Sequence, residues 1–317
     1  MFNEKSQKTV FKKRVLFVGI PDMAYVCLDG LNISGVNIVG VLGPKKDHNT
    51  YSCFKYFVQK RGLNYIEFDD LKEENLIRQV KELNADIAVV CSFNYKIPHV
   101  LIESVKDGFI NIHPSLLPEY RGANPYSHVI MNKEKHTGVT LHFMDEGFDT
   151  GDIIVQQPME ISPRETMGTL FNRLNIVGLE LLLKVLSDYE NNPIPRAKQK
   201  EGDFIVGNNI PDEELYLDYS KSAHELERFL RALNPFFTVS TAFRNTPVRI
   251  YSAEVVTQVP QSNFPTGTVE YIKDGKFYIK TKEGLLAPTV LQFGSFFVGS
   301  SKDFIQILDL KVGEVFE

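Results

Sequence analysis

The chain has 317 residues, 43% of them hydrophobic, with 35 Lys and Arg against 40 Asp and Glu, three Cys and no Trp. This length and apolar fraction predict one large or two ordinary globular domains, and they exclude disordered and fibrous proteins. No apolar run reaches the roughly 18 residues of a membrane helix, and the first residues are polar, so we expect a soluble cytoplasmic protein. Three widely spaced cysteines favour neither a disulfide framework nor a cysteine zinc site, and a net charge of −5 gives no overall basic field for nucleic acid.

Short apolar runs alternate with helix-length amphipathic stretches to about residue 190, a pattern typical of a parallel sheet covered by helices. The predicted strands are 15–19, 37–42, 86–92, 108–113, 137–144 and 153–161. The predicted helices are one after Asp22 as N-cap, 51–61 with its end at Gly62, 71–83, and one that runs to about residue 189. Ser162 and Glu165 have the spacing of a capping box and predict the start of that last helix.

A Pro-rich polar stretch interrupts the pattern and predicts a linker. A helix capped by Ser220 or Ser222 follows, and then short alternating segments at 248–255, 266–272, 276–281 and 305–310. Such segments, separated by turn signals, are typical of a small antiparallel barrel. We therefore predict a Rossmann-like, mostly parallel α/β domain (1–190), a linker (191–210) and a helix with an OB-like antiparallel barrel (211–317).

Two segments, 111–125 and 145–152, carry most of the chemistry. Asn111 and His113 are two residues apart on a predicted strand and so face the same side, just before Pro114 ends it. The second segment is an acidic loop with glycines that can bring a carboxylate to this imidazole. An amide, an imidazole and a carboxylate without a nucleophile suit transfer at a carbonyl carbon, with no covalent intermediate.

Two other interpretations remain open on spacing alone. A histidine at the end of a strand is often a structural residue. His113, His142, Asp149 and Asp152 also offer nitrogen and oxygen ligands to a metal. The chain lacks HxH, HExxH and dense carboxylate motifs, so we expect no metal.

The sequence NIHPSLLPEYRGANP, followed by TGVTLHFMDEGFDTGDII, resembles the signature of the formyltransferases that use 10-formyltetrahydrofolate. Residues 18–24 are similar to the opening strand and loop of the members that act on methionyl-tRNA or on nucleotide-linked amino sugars. The segment DYSKSAHELERFLRALNPFF resembles the start of their carboxyl-terminal domain. The purine-pathway members lack that domain, so this chain does not resemble them over its full length.

The resemblance implies a catalytic set of Asn111, His113 and Asp149 and a folate co-substrate. Asn111 would stabilise the oxyanion, His113 would bind the same oxygen or pass a proton to the leaving nitrogen, and Asp149 would orient the ring and relay the proton of the amine. The implied folate-binding residues are Phe93, Asn94, Tyr95, Lys96, Ile97, Ser115, Leu116, Leu117, Pro118, Asp145 and Gly147. For Leu116 and Leu117, ordinary packing is an equal alternative. Gly19, Pro21, Asp22 and Arg121 are weaker candidates for substrate binding. Arg121 is either a surface charge or a residue that holds a phosphate or the glutamate tail of folate, and His142 and Asp152 have supporting roles.

The acceptor amine is less determined than the donor. In the tRNA enzymes of this family, the loop after the second strand is long and basic, whereas here it carries only Lys45 and Lys46 before the next helix. Residues 211–317 contain 11 Lys and Arg against 14 Asp and Glu, a net charge of −3, which disfavours tRNA phosphates. A nucleotide-linked amino sugar is therefore the leading acceptor, methionyl-tRNA the second, and a non-catalytic folate- or nucleotide-binding module the third possibility.

Overall fold

The structure, a computed structural model, describes residues 10–21, 23–45, 49–257 and 262–317. Contacts within the chain group it into two compact units. The first unit comprises the described residues up to Pro125, His136–Glu160 and Asn172–Gly207; the second comprises Tyr126–Lys135, Ile161–Phe171 and Asn208–Glu317. The domain boundaries at residues 190 and 211 stay a prediction from the sequence.

A seven-stranded sheet in the order β3-β2-β1-β4-β5-β6-β7 organises the first unit. The strands are β1 (Arg14–Gly19), β2 (Asn37–Pro44), β3 (Tyr65–Phe68), β4 (Ile87–Cys91), β5 (Phe109–His113), β6 (His136–Phe143) and β7 (Ile153–Glu160). The five strands from β3 to β5 are parallel, and β6 and β7 add to the β5 edge in antiparallel register. The predicted Rossmann-like, mostly parallel fold is confirmed. The short strand β3 was not predicted.

Helices separate the parallel strands, as the alternating pattern predicted. They are α1 (Met23–Ile33), α2 (Asn49–Lys60), α3 (Glu74–Glu82) and the short α4 (His99–Ile102). Gly62, with a φ of +71°, follows α2 at the predicted stop. The predicted N-cap of α1, Asp22, lies outside the described residues.

Two further helices are α5 (Pro125–Met131), which was not predicted, and α6 (Met167–Tyr189). The prediction that Ser162 starts the long helix was wrong. Its N–H does donate to the Glu165 carboxylate (3.2 Å), but this hydrogen bond belongs to a separate turn before the helix. Thr166 and Thr169 each accept the other's backbone N–H, at 3.1 and 3.0 Å, and this second pair caps α6.

The second unit contains an antiparallel sheet in the order β10-β11-β12-β9-β8, with β13 paired to β12. Its elements are the 3-10 turn Asp212–Glu214, α7 (Ala223–Leu233), β8 (Ser240–Phe243), β9 (Thr246–Val256), β10 (Val269–Lys273), β11 (Lys276–Lys280), β12 (Leu285–Phe293), β13 (Phe297–Ser300) and α8 (Ser301–Leu308). Val315 bridges Thr268 ahead of β10, and Phe316 bridges Phe243 at the end of β8. The last residues therefore join the two edges of the sheet. The predicted antiparallel carboxyl-terminal domain is confirmed.

Of the two caps predicted for α7, Ser220 and Ser222, the structure shows Ser222, which forms a capping box with Glu225. The strand predicted at 305–310 was wrong, because most of this segment belongs to α8. Ser300 and Asp303 form a capping box at its start. That box places Phe304 in the core, where it contacts the rings of Phe243, Phe277 and Phe316.

The first sheet places its chemistry at the carboxyl ends of its central strands, as expected for this fold. The strands β1, β4 and β5 are almost wholly buried. In register, Gly19 lies beside Cys91 and Val90 lies beside Asn111. The loops after these three strands therefore begin next to one another.

Candidate active site

Three distant parts of the sequence meet around the end of β5. Asn111 and His113 lie on β5, opposite His142 and Thr140 of the antiparallel strand β6. Asp149 comes from the loop between β6 and β7. Its carboxylate lies 3.6 Å from the His113 ring, 3.5 Å from the Asn111 amide nitrogen and 3.6 Å from the His142 ring. The structure thus brings together the three side chains predicted to be catalytic.

The proton arrangement of His113 follows from its backbone partner. The Nε2–H of the ring donates to the carbonyl of Tyr120 at 2.9 Å, so the neutral ring has its free electron pair on Nδ1. Nδ1 is the atom that faces Asp149. The ring is 3% exposed, and burial lowers the pKa of His113 below its ordinary 6.5, although the Asp149 carboxylate opposes the shift. His113 is therefore a neutral proton acceptor at neutral pH.

Asp149 is held as an anion. Burial alone would raise its pKa, but the positive charge that the His113 and His142 rings carry when protonated, together with the N–H of Gly122, lowers the pKa of the carboxyl well below its ordinary range. The Gly122 N–H donates to Oδ2 at 2.9 Å. Asp149 also has a φ of +55°, a left-handed conformation that costs an aspartate of order 1 kcal/mol or more.

His142 orients the amide of Asn111. Its Nδ1–H donates to the carbonyl of Phe143 at 2.8 Å, so the neutral ring accepts through Nε2. The amide nitrogen of Asn111 lies 3.2 Å from that acceptor. One N–H of the amide is therefore bound to His142, and the other points towards Asp149 and the open side of β5. The supporting role of His142 stays a prediction.

The segment after β5 is fastened to the sheet by Thr140, which is fully buried. The Thr140 hydroxyl donates to the carbonyl of Ser115 (2.6 Å) and accepts the N–H of Leu117 (3.1 Å). Gln156 donates to the Leu117 carbonyl at 2.8 Å. Leu117 is buried, and Leu116 packs so closely on Gly138 that a Cβ there would lie 2.5 Å from it. The Leu117–Pro118 peptide bond is cis.

The structure also shows where the other predicted site residues lie. Residues 93–97 follow β4 after Ser92, which has a φ of +49°. Ile97 is buried, Phe93 and Tyr95 are half-buried, and Asn94 and Lys96 are exposed. The Lys96 ammonium lies 5.8 Å from the centre of the Phe148 ring, so this segment contacts the acidic loop.

Asp145 and Gly147, both exposed, shape the start of that loop. The Asp145 carboxylate accepts the N–H of Gly147 at 3.0 Å and the hydroxyl of Thr150 at 2.6 Å. The predicted acceptor residues Gly19 and Pro21 flank Ile20, whose N–H donates to the carbonyl of Ser92 at 3.1 Å. Asp22 lies outside the described residues.

Sequence reasoning missed the contribution of residues 197–207, which it interpreted as linker. Tyr120 donates its N–H to Ile205, and Gly207 donates its N–H to Arg121, both at 2.7 Å. Ala197 exchanges backbone hydrogen bonds with Ile153 on the other side. This stretch therefore lines both segments that carry catalytic residues.

Gln199 is the most connected side chain of this stretch. Its amide N–H groups donate to the carbonyls of Asp149 and Gly151, both at 2.8 Å. Its oxygen accepts from the guanidinium of Arg121 at 2.5 and 3.1 Å. The only sequence signal was a polar side chain in an aperiodic stretch, which does not distinguish it from ordinary linker residues.

Neither a metal-binding cluster nor a membrane-spanning helix occurs within the described ranges. These residues contain no group of three His, Cys, Asp or Glu side chains that could hold a metal ion. None of the helices in this part of the chain is both long and apolar enough to cross a bilayer.

The fold and the site define a class of two-domain enzymes with an Asn-His-Asp constellation at the end of a Rossmann-like sheet. The sequence model of the formyl transferase family matches residues 32–186, and the model of the formyl transferase C-terminal domain matches residues 209–307. The chain belongs to the formyl transferase family, and it is an enzyme of N-formyltransferase type.

Relatives match across both domains. A methionyl-tRNA formyltransferase of Alkaliphilus oremlandii is 30% identical over 96% of this chain and 97% of its own length. Another, of Halothermothrix orenii, is 34% identical over 76% of this chain and 78% of its own.

Solved structures share the fold. HypX from Aquifex aeolicus in complex with tetrahydrofolic acid superposes with a TM-score of 0.66 at 18% identity, over 95% of this chain and 48% of that one. This chain thus spans about half the length of HypX. The sugar 3N-formyl transferase WlaRD gives a TM-score of 0.63 at 21% identity, over 90% and 99% of the two chains. A 4-N formyltransferase from Francisella tularensis gives 0.58 at 25% identity, over 72% and 91%.

Proposed function

We propose that this enzyme transfers a formyl group from 10-formyltetrahydrofolate to a primary amine, with Asn111, His113 and Asp149 as the catalytic residues. The observation that carries the proposal is that a neutral imidazole and an oriented amide both approach one ionised carboxylate, His113 at 3.6 Å and Asn111 at 3.5 Å from Asp149. Such groups without a nucleophile serve direct attack on a carbonyl carbon. Membership of the formyl transferase family supports the same chemistry.

The loops around the site suit a flat, polar heterocycle such as the pterin of folate. Within the described chain, the backbone N–H and C=O groups of Asn94 and Lys96 make no backbone hydrogen bond, so they are available to a ligand. Phe148, 70% exposed, offers an apolar surface on the facing loop. These features fit the predicted folate-binding segments 93–97 and 145–149. Bound 10-formyltetrahydrofolate supplies the formyl group.

His113 and Asp149 form the route for the proton of the amine. An ammonium has no electron pair, so the acceptor must lose a proton to attack. Because Nε2–H is bound to Tyr120, the ring accepts a proton at Nδ1, where the Asp149 carboxylate stabilises the resulting cation. His113 then gives this proton to the folate nitrogen as the bond from that nitrogen to the formyl carbon breaks, so that tetrahydrofolate leaves neutral. The present 3.6 Å separation is longer than a direct hydrogen bond, and catalytic contacts commonly shorten when substrate binds.

Asn111 provides the donor for the developing oxyanion. His142 holds one N–H of its amide at 3.2 Å, which fixes the plane of the amide. The second N–H has only a long 3.5 Å contact to Asp149 and is the one available to the formyl oxygen. A fixed donor that meets charge as it develops typically contributes roughly 10²–10³ in rate.

The acceptor that charge favours is a nucleotide-linked amino sugar. Helix α2 begins at Asn49, with only residues 45–48 between it and β2, so there is little room for a basic loop that follows a tRNA stem. Residues 211–317 carry a net charge of −3. A small phosphate-bearing acceptor does not need the extended basic surface that tRNA requires.

Methionyl-tRNA is the second candidate acceptor. The relatives named above act, by their names, on methionyl-tRNA, and they match both domains of this chain at 30–34% identity. The second unit also contains Arg228, Arg231, Arg244 and Arg249, which would provide a local basic patch despite the net charge of residues 211–317.

The test is release of tetrahydrofolate from 10-formyltetrahydrofolate by the full chain with each acceptor. UDP- and dTDP-linked 4-amino sugars and charged initiator methionyl-tRNA are supplied in parallel, and the formylated product is identified by mass spectrometry. Formylated sugar without formylated tRNA supports the leading acceptor, and the reverse result supports the second. Failure to formylate any amine, with folate binding intact, would overturn the proposed function in favour of a binding module.

A further inference from the structure

A cavity of 390 Å³ lies beside the loop that carries Asp149. Arg121 lines one side, Thr150 and Asp152 come from the acidic loop, and residues 198–202 with Phe204 complete the wall. Arg121 is a predicted substrate-binding residue, and the cavity begins one residue from Asp149.

Arg121 is held in one orientation by an uncharged partner. Both Nε and Nη2 donate to the side-chain oxygen of Gln199, at 3.1 and 2.5 Å, and the guanidinium lies 5.8 Å from the centre of the Phe204 ring. Within the described ranges no carboxylate oxygen lies within 4.0 Å of it. The side chain is half-buried. A partly desolvated guanidinium normally has an anionic partner, because burial of an uncompensated charge is costly.

The other cations of the cavity are Lys198 and Lys200, both exposed, while Asp152 and Glu201 are its carboxylates. The lining therefore has three positive and two negative side chains. Gln199 leaves the Nη1 donors and one Nη2 donor of Arg121 unoccupied, and a guanidinium binds oxyanions through such parallel donors. The excess of positive side chains in the lining and the free donors of Arg121 both favour an anionic ligand.

We infer that this cavity, with Arg121 as its anchor, binds an anionic group of one of the two substrates. The inference rests on the proposed function, because the ligand chemistry is taken from substrates of that reaction. Two sources carry such a group, namely the phosphates of a nucleotide-linked or tRNA acceptor and the glutamate carboxylates of the folate tail. Gln199 connects the subsite to the reaction, since it binds both Arg121 and the backbone of Asp149.

The test measures binding to the full-length protein by titration calorimetry, with wild type compared to Arg121→Met. The probes are inorganic pyrophosphate and 5-formyltetrahydrofolate with either one or three glutamates. Loss of charge-assisted hydrogen bonds predicts a fall in affinity of about tenfold to a hundredfold for the probe that uses the cavity. A fall for pyrophosphate alone assigns the site to acceptor phosphate. A fall for the triglutamyl folate alone assigns it to the folate tail.

Matched variants separate this effect from general damage. Arg78→Met removes an exposed arginine of α3 outside the cavity and should bind every probe as wild type does. The double variant Lys198→Met with Lys200→Met should weaken the same probe as Arg121→Met, by a smaller factor. If circular dichroism shows that Arg121→Met does not fold, the affinity of the double variant for the same probes tests the inference in its place.

Equal affinity of the wild type and the cavity variants for pyrophosphate and for both folates would overturn the inference. These measurements need no turnover. Formylation that proceeds without an Arg121-dependent anion site would overturn the inference and leave the proposed function intact. An Arg121-dependent anion site in a protein that formylates no amine would support the inference and overturn the proposed function.

Discussion

Gln199 should be a positioning residue for the catalytic carboxylate. Gln199→Leu keeps the size of the side chain and removes the donors to the carbonyls of Asp149 and Gly151. Asp149 has a left-handed backbone that its surroundings must maintain. Loss of these two hydrogen bonds should therefore let the loop relax and move the carboxylate away from His113.

The size of the effect follows from the contacts removed. Two amide–carbonyl hydrogen bonds are worth about 1 kcal/mol each, and a loss of about 2 kcal/mol from the transition state lowers kcat roughly 30-fold. Gln199→Glu provides a sharper comparison. It keeps an acceptor for Arg121 but replaces the donor with an oxygen beside two carbonyl oxygens, so kcat should fall at least as far.

The assay is steady-state formyl transfer, with kcat and KM measured across pH for each variant. We expect kcat to fall by a larger factor than the KM for folate rises, because the folate-facing segment 93–97 is not altered and the relaxation is at the Asp149 end of the acidic loop. The control is Gln157→Leu, an exposed glutamine of β7 whose amide donates to the carbonyl of its neighbour Pro158. A kcat within twofold of wild type in Gln199→Leu, with the same pH profile, would refute the positioning role.

Three further predictions concern ionisation and the second unit. Asp149→Asn should lower kcat/KM by about 10²-fold or more. It should also move the acid limb of the pH profile to lower pH, because the carboxylate raises the pKa of His113. An acid limb that stays in place or moves to higher pH would contradict this prediction. The wild type should lose unfolding free energy as pH falls below 6.5, since unfolded His113 then takes up a proton that the folded ring, with its lowered pKa, does not; denaturant titrations of His113→Gln should lack that component, and an identical slope would remove the assignment. Phe316→Ala should destabilise the protein by about 3–5 kcal/mol, because this ring is 1% exposed and stacks on Phe243 and Phe277; a melting temperature equal to that of the wild type would show that the carboxyl terminus does not close the sheet.

Local patterns predicted the elements that hold the catalytic residues. The strands β1 and β4 contain continuous apolar runs, and β5 alternates apolar residues with Asn111 and His113, so both patterns differ from the period of the amphipathic helices. The side chains of Asn111 and His113 could be placed on one face because a strand alternates. Asp149 was predicted from the resemblance, because no local sequence pattern indicates that its carboxylate lies near His113.

The features that the sequence did not predict depend on contacts between residues that are distant in the chain. Ile305 and Leu310 alternate with polar residues like a strand, but the capping box at Ser300 starts a helix that buries Phe304. In β12, the register with β9 shifts between Pro288 and Leu291 and the first four residues are all buried, so the strand lacks a period of two. The strands β8 and β13 are only four residues long. Gln199 lies in an aperiodic polar stretch, and its importance comes only from partners 48 to 78 residues away.

The central claim is that Asn111 and His113 act together on one formyl group. The most direct test is formyl transfer by Asn111→Ala, His113→Ala and the double variant, under conditions where each protein still binds folate. Residues that stabilise one transition state act as a unit, so the double variant should be only slightly slower than the slower single variant. Full activity in Asn111→Ala, or losses that multiply exactly in the double variant, would contradict the account.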